Sequence, residues 1–129
     1  MDFVSFEIAK KLKEKGFREE CLCHYVDVDL VYNIESPIAN NQLLFCHNKY
    51  DNIWHRDNYD APTISQVLKW LRKEKKIYLE LVIVVDTEYM CDIYKIDERP
   101  IECLGSTEYF KTPEQAALAG IEYVLDNLI

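Results

Sequence analysis

Glycine and proline are scarce in this chain, with three and four among 129 residues. No glycine-rich loop is present to cradle a phosphate, and 49% hydrophobic content excludes the composition of a disordered protein. Long apolar runs are missing as well. The longest, residues 81–85, falls far short of the roughly 20 residues needed to span a bilayer. No N-terminal stretch joins a basic segment to an apolar core as a secretory leader does, so a cytoplasmic protein with no membrane partner is expected. Positive charge is in deficit, with 15 Lys and Arg against 23 Asp and Glu and a net charge of −8. Phosphate is repelled at long range by that sign, which disfavours a nucleic-acid partner except through a local basic patch. The five cysteines, Cys21, Cys23, Cys46, Cys91 and Cys103, are odd in number. In a chain large enough to hold itself together by packing, free thiols are expected in place of a disulfide framework.

What the chain does contain is clear helix punctuation. Thr63-Ile64-Ser65-Gln66 and Thr112-Pro113-Glu114-Gln115 are T-x-x-Q boxes, in which a threonine hydroxyl accepts from the third backbone N–H of a new helix. Pro113 stands at the first helical position, where its missing donor costs nothing. Ser5 caps an earlier helix over residues 6–15 that buries Phe6, Ile8, Ala9 and Leu12 and stops at Gly16. The second helix, over residues 64–75, carries Ile64, Val67, Leu68 and Leu71 on one face. The last buries Ala117, Ile121, Val124, Leu125 and Leu128.

Between the helices the periodicity changes to two. Over residues 21–34, Leu22, His24, Val26, Val28, Leu30, Tyr32 and Ile34 form a row predicted to face the core, and Cys21, Cys23, Tyr25, Asp27, Asp29, Val31 and Asn33 the solvent row. Residues 35–60 read as a long loop that allows a short strand at 42–47. Residues 77–85 have the β-branched content of a central strand; a turn at 86–88 returns the chain through 89–96, with an edge strand at 101–104 or 108–110. The expected fold is a single α+β domain over residues 1–129: two layers, an antiparallel sheet of three to five strands with three helices on one face.

Several groupings contain residue types that can carry chemistry. Cys21, Cys23 and His24 with Cys46 and His47 offer soft donors for zinc, but on a strand the cysteines share a face that His24 leaves, and the usual two-to-four-residue gap between paired cysteines is absent. No metal or cofactor is expected. Trp54, His55, Asp57 and Tyr59 crowd a loop just before a helix start, where binding residues often sit. His55-Arg56-Asp57 matches a kinase catalytic triplet in letters alone, because the other kinase elements are missing. Glu80, Asp86, Asp92 and Lys95 lack the spacing of a metal-dependent nuclease, and Ser65 lacks a nucleophile frame. No catalytic residue emerges, and a non-enzymatic role is expected.

The sharpest functional feature is a basic segment. Residues 61–79 carry five basic side chains and one acidic. Lys69, Arg72, Lys73 and Lys76, at i, i+3, i+4 and i+7, would line one stripe of a continuous helix. Such a stripe suits phosphates or the acidic flank of another protein, although cations in a last turn also suit the helix dipole without any ligand.

The three helical runs, residues 3–17, 61–72 and 116–125, resemble a group of small proteins from bacterial chromosomes and their integrated phages. The resemblance implies a bacterial or prophage origin and carries no activity or site residues. The reading is an accessory or interaction protein that binds a protein partner or itself through an exposed sheet edge or the aromatic surface around Trp54, Tyr59 and Trp70. The alternative is a nucleic-acid-associated protein using the basic stripe.

Overall fold

The computed structural model describes residues 2–26, 28–32 and 58–129. The element order is α1 (Phe6–Glu14), β1 (Cys23–Val26), β2 (Asp29–Tyr32), β3 (Asn58–Ala61), α2 (Ile64–Trp70), a π-helical continuation at Leu71–Lys75, β4 (Ile77–Val85), β5 (Glu88–Lys95), β6 (Glu102–Ser106) and α3 (Pro113–Asn127). The α+β class expected from the sequence is present. The strands, however, divide into two antiparallel three-stranded sheets, ordered β2-β1-β3 and β4-β5-β6. The helices divide with them, since the chain forms two compact units, Phe3–Thr63 and Ile64–Ile129. The expected single sheet under three helices is therefore corrected: α1 accompanies the first sheet, α2 and α3 the second. No helix among the described residues is long and apolar enough to cross a membrane.

In the first unit, α1 starts where its cap predicts. Ser5 is extended and its Oγ accepts from the Ile8 N–H at 3.3 Å, satisfying one of the orphan donors of the first turn. Gly16 ends the helix at φ +93°, a conformation glycine adopts without a Cβ clash. Ile8, Ala9 and Leu12 are buried together with Val4 and Phe17. Packing of α1 against the sheet runs through aromatic edges: Phe6 meets Tyr25 at 5.7 Å and Tyr59 at 5.6 Å between ring centroids, both edge-on.

The alternation read through residues 21–34 is broken by a reversal between Val26 and Asp29, where β1 ends and β2 begins. Cys21, Cys23 and Tyr25, predicted to face solvent, are buried, while Val28, Leu30 and Tyr32, predicted to face the core, are exposed. The physical reason is the position of β1. As the central strand it buries Cys23 and Tyr25 on one face and His24 on the other, whereas β2 is, among the described residues, an edge strand exposed at all four positions. β3 falls inside the stretch read as loop; the strand allowed at 42–47 lies outside the described residues.

In the second unit, α3 lies on one face of β4-β5-β6. Thr112 Oγ1 accepts from the Gln115 N–H at 3.1 Å, and Pro113 opens the helix as its sequence dictates. Ala116, Ala117, Gly120, Ile121, Val124 and Leu125 form the buried stripe. A Cβ added at Gly120 would lie 2.7 Å from Cys91 Sγ and 2.9 Å from Leu79 Cδ2, so the helix rests directly on the sheet there. The β4–β5 hairpin closes at Asp86 and Thr87, with Thr87 left-handed at φ +69°. Both predicted edge segments are used: β6 pairs with β5, and Phe110 bridges to Tyr89. β4 has the composition of a central strand, but among the described residues β5 takes the centre and β4 lies at the sheet edge.

Candidate functional site

The residues singled out in the sequence do not converge on one place. Trp54, His55 and Asp57 lie outside the described residues. Tyr59 belongs to β3, not to a loop; it stands opposite Tyr25, with Phe6 edge-on and Lys13 Nζ 5.2 Å from its ring centre. Those contacts are internal to the first unit, so Tyr59 holds α1 to its sheet. Trp70 is buried, with Lys75 Nζ 5.4 Å from its ring centre, and so does not offer the aromatic surface expected of it.

The basic segment is where the sequence places it, in altered geometry. Lys69 lies on α2, Arg72 and Lys73 on the π-helical turn, and Lys76 beyond its end in a left-handed conformation at φ +58°. A π-turn takes more residues per revolution than an α-turn, so the four cations fan out instead of forming a straight stripe. All four are exposed. Among the described residues none of them enters an ion pair, and neighbouring Lys95 is turned to Asp97 Oδ2 at 3.6 Å and to the Lys75 carbonyl at 3.3 Å.

The carboxylates form a different pattern. Glu80 and Asp92 are cross-strand partners on the face of the second sheet away from α3, while Asp86 is at the hairpin turn. Asp92 Oδ1 accepts from Ser106 Oγ at 2.6 Å. The Tyr94 hydroxyl is held above the ordinary phenol range, first by loss of hydration and then by Asp92 and Glu80. These contacts account for Asp92 as a strand-to-strand tie. Among the described residues no three His, Cys, Asp or Glu side chains stand close enough to hold a metal ion.

Among the described residues no disulfide joins Cys21, Cys23, Cys91 and Cys103. Burial raises Cys23, and Cys91 is pushed up to about 12 by burial and then by Asp92. Cys21 is raised by burial, then by Asp60, Glu19 and Cys23. Thiols held protonated at neutral pH are poor nucleophiles and poor ligands. Cys21, Cys23 and Cys91 act here as small core residues, whereas Cys103 is exposed.

Sequence reasoning missed the surface that is most unusual. Exposed large apolar side chains are most numerous in two groups, Val28, Leu30, Val31 and Tyr32 on and beside β2, and Leu81, Ile83 and Val85 on β4, with Ile83 70% accessible; Ile101 and Tyr109 are exposed elsewhere. Ile77 and Leu79, on the same face of β4 as Leu81 and Ile83, are buried. The signal available was the unalternating run at residues 81–85, which suits a strand covered on both faces. Here it lies past the cover that α3 supplies. Single exposed apolar residues are ordinary, whereas clusters on strand edges mark interaction surfaces. No protein-family model, no curated protein and no solved structure matches the chain.

Proposed function

We propose that the protein is a non-enzymatic interaction module, an accessory protein of a bacterium or prophage that binds a protein partner or itself through apolar edge strands. One observation carries the reading: the exposed large apolar side chains are concentrated on β2 and β4, the edge strands of two separate sheets. An edge strand offers a row of backbone donors and acceptors to an incoming strand, and apolar side chains beside that row add affinity. The bacterial or phage setting is supported by the likeness of the three helices alone.

The test replaces one exposed apolar residue per strand by a charge. Wild-type protein should bind a defined partner, another protein or a second copy, and Leu30→Lys or Ile83→Lys should reduce that binding while circular dichroism remains native. A wild type that stays monomeric and captures no protein from its host would end the reading.

A second reading has its own support. Lys69, Arg72, Lys73 and Lys76 are exposed cations with no ion pair among the described residues, spread over α2, its π-helical extension and the residue that follows it. If all four meet phosphates of duplex DNA, the logarithm of the binding constant should fall with the logarithm of salt at a slope of about −3.6. Absence of binding at low salt removes this reading.

A further inference from the structure

The cations around the π-helical turn are more numerous than the end of the helix needs. Lysine and arginine near a helix C-terminus are ordinarily accounted for by the negative end of the dipole and by carbonyls without intrahelical donors. Here other donors reach those carbonyls. Lys95 Nζ donates to the Lys75 carbonyl at 3.3 Å, the Ile96 N–H to the Lys76 carbonyl at 3.0 Å, and the Lys76 N–H to the Leu71 carbonyl. Lys75 turns back over the buried ring of Trp70, with Nζ 5.4 Å from its centre. The fold thus engages Lys75 and Lys95. Lys69, Arg72, Lys73 and Lys76 are left exposed, with no ion pair or side-chain hydrogen bond among the described residues.

We infer that these four side chains bind the phosphate backbone of duplex DNA without reading its base sequence. The inference rests on the nucleic-acid reading above and specifies its ligand and mode. Two features of the segment select a backbone. Its cations stand on three backbone conformations, an α-helix, a π-turn and the left-handed Lys76, and so fan out where a pocket for a single phosphate would need them to converge. A duplex instead offers charge repeated along its length. Over residues 69–76 the exposed side chains are these four cations and Glu74, with none of the amides or hydroxyls that commonly pair with base edges. Contacts to phosphate position a protein but carry no sequence information.

The neighbouring strand selects duplex over single strands. Single strands are held by bases stacked on exposed aromatic rings. The exposed ring that follows the cations, Tyr78, shares its face of β4 with Glu80, and Glu80 stands opposite Asp92 on β5. Two carboxylates beside that ring repel a phosphate chain, so the contact stops at Lys76 and the ring is closed to stacking.

Fluorescence anisotropy with A·T-rich and G·C-rich duplexes of equal length, and with their single strands, tests the inference across a range of salt. The two duplexes should bind alike within about twofold and more tightly than either single strand. Lys69→Ala, Arg72→Ala and Lys73→Ala, all at exposed positions, should each flatten the salt slope by about 0.9 on both duplexes. Tyr78→Ala should leave affinity unchanged, and Glu80→Gln should raise it by about twofold. A preference for one duplex that Arg72→Ala abolishes overturns sequence independence. Tighter binding to single strands, lost on Tyr78→Ala, overturns the choice of duplex. Slopes unmoved by the three alanine variants show that DNA binds elsewhere on the chain. Each of these results overturns the inference while leaving the nucleic-acid reading standing; no binding to any of the probes at low salt removes both.

Discussion

The two central strands, β1 in the first sheet and β5 in the second, solve the same problem with different materials. β5 buries Cys91 and Ile93, and α3 approaches the sheet closely at Gly120, where an added Cβ would lie 2.7 Å from Cys91 Sγ and 2.9 Å from Leu79 Cδ2. β1 buries Cys23 and Tyr25 beside α1, whose contact is aromatic: Phe6 is edge-on to Tyr25 and Tyr59, and the Tyr25 hydroxyl donates to the Val4 carbonyl at 2.6 Å. Small residues allow close approach and make the interface intolerant of added volume. Rings fill a wider gap and anchor it with a polar tip. Helix-on-sheet packing in one short chain therefore has one interface governed by fit and another governed by rings and a hydrogen bond.

The contrast can be broken at its strongest point by Ile93→Ala. Ile93 is fully buried at the centre of the second sheet, so a loss of about 3 kcal/mol is expected from denaturant melts. Gly120→Ala comes next. Helix propensity favours alanine by about 1 kcal/mol, but the new Cβ must displace Cys91 Sγ and Leu79 Cδ2, and a net loss of about 1 kcal/mol is expected. A gain in melting temperature would show that α3 is not held as closely as the geometry requires. On the aromatic side, Tyr25→Phe keeps the ring and removes the bond to Val4, which should cost about 1 kcal/mol and leave far-ultraviolet circular dichroism unchanged.

The smallest effect is one of pH. Burial raises both Cys91, to about 12 from 9.0, and Cys23, by a lesser amount. The unfolded chain releases these protons at lower pH than the folded chain does. Stability is therefore fully present below about pH 9 and declines as the pH rises from there toward 12. Cys91→Ala should flatten that decline more than Cys23→Ala, as read from urea midpoints between pH 8 and 10.5. Equal slopes would erase the difference between the two thiols, of which Cys91 alone also has a neighbouring carboxylate, Asp92.

Legibility in the sequence followed the range of the forces involved. Ser5 and Thr112 cap the helices that their neighbours predict, and Gly16 stops the first, because a cap is settled within four residues. The hairpin of β4 and β5 was visible from composition. The reversal between Val26 and Asp29 was not, since no glycine or proline marks it and the alternation reads straight through. Exposure of Ile83 was hidden for a related reason. A run of branched apolar residues predicts a covered strand, and nothing local states where the covering helix ends. Of the proposed binding residues, the basic segment was legible because exposed charge needs no tertiary partner, whereas Trp70 reads as a surface aromatic until the fold buries it.

By itself the sequence determined where the helices begin, the Ser5 and Thr112 caps, the most β-rich strand and the uneven charge, all set by interactions between residues a few positions apart. Tertiary structure alone decided that the strands form two sheets, that β5 and not β4 takes the centre, and which apolar residues stay in water. Those outcomes depend on which distant surfaces meet, and burial free energy is realised only when they do.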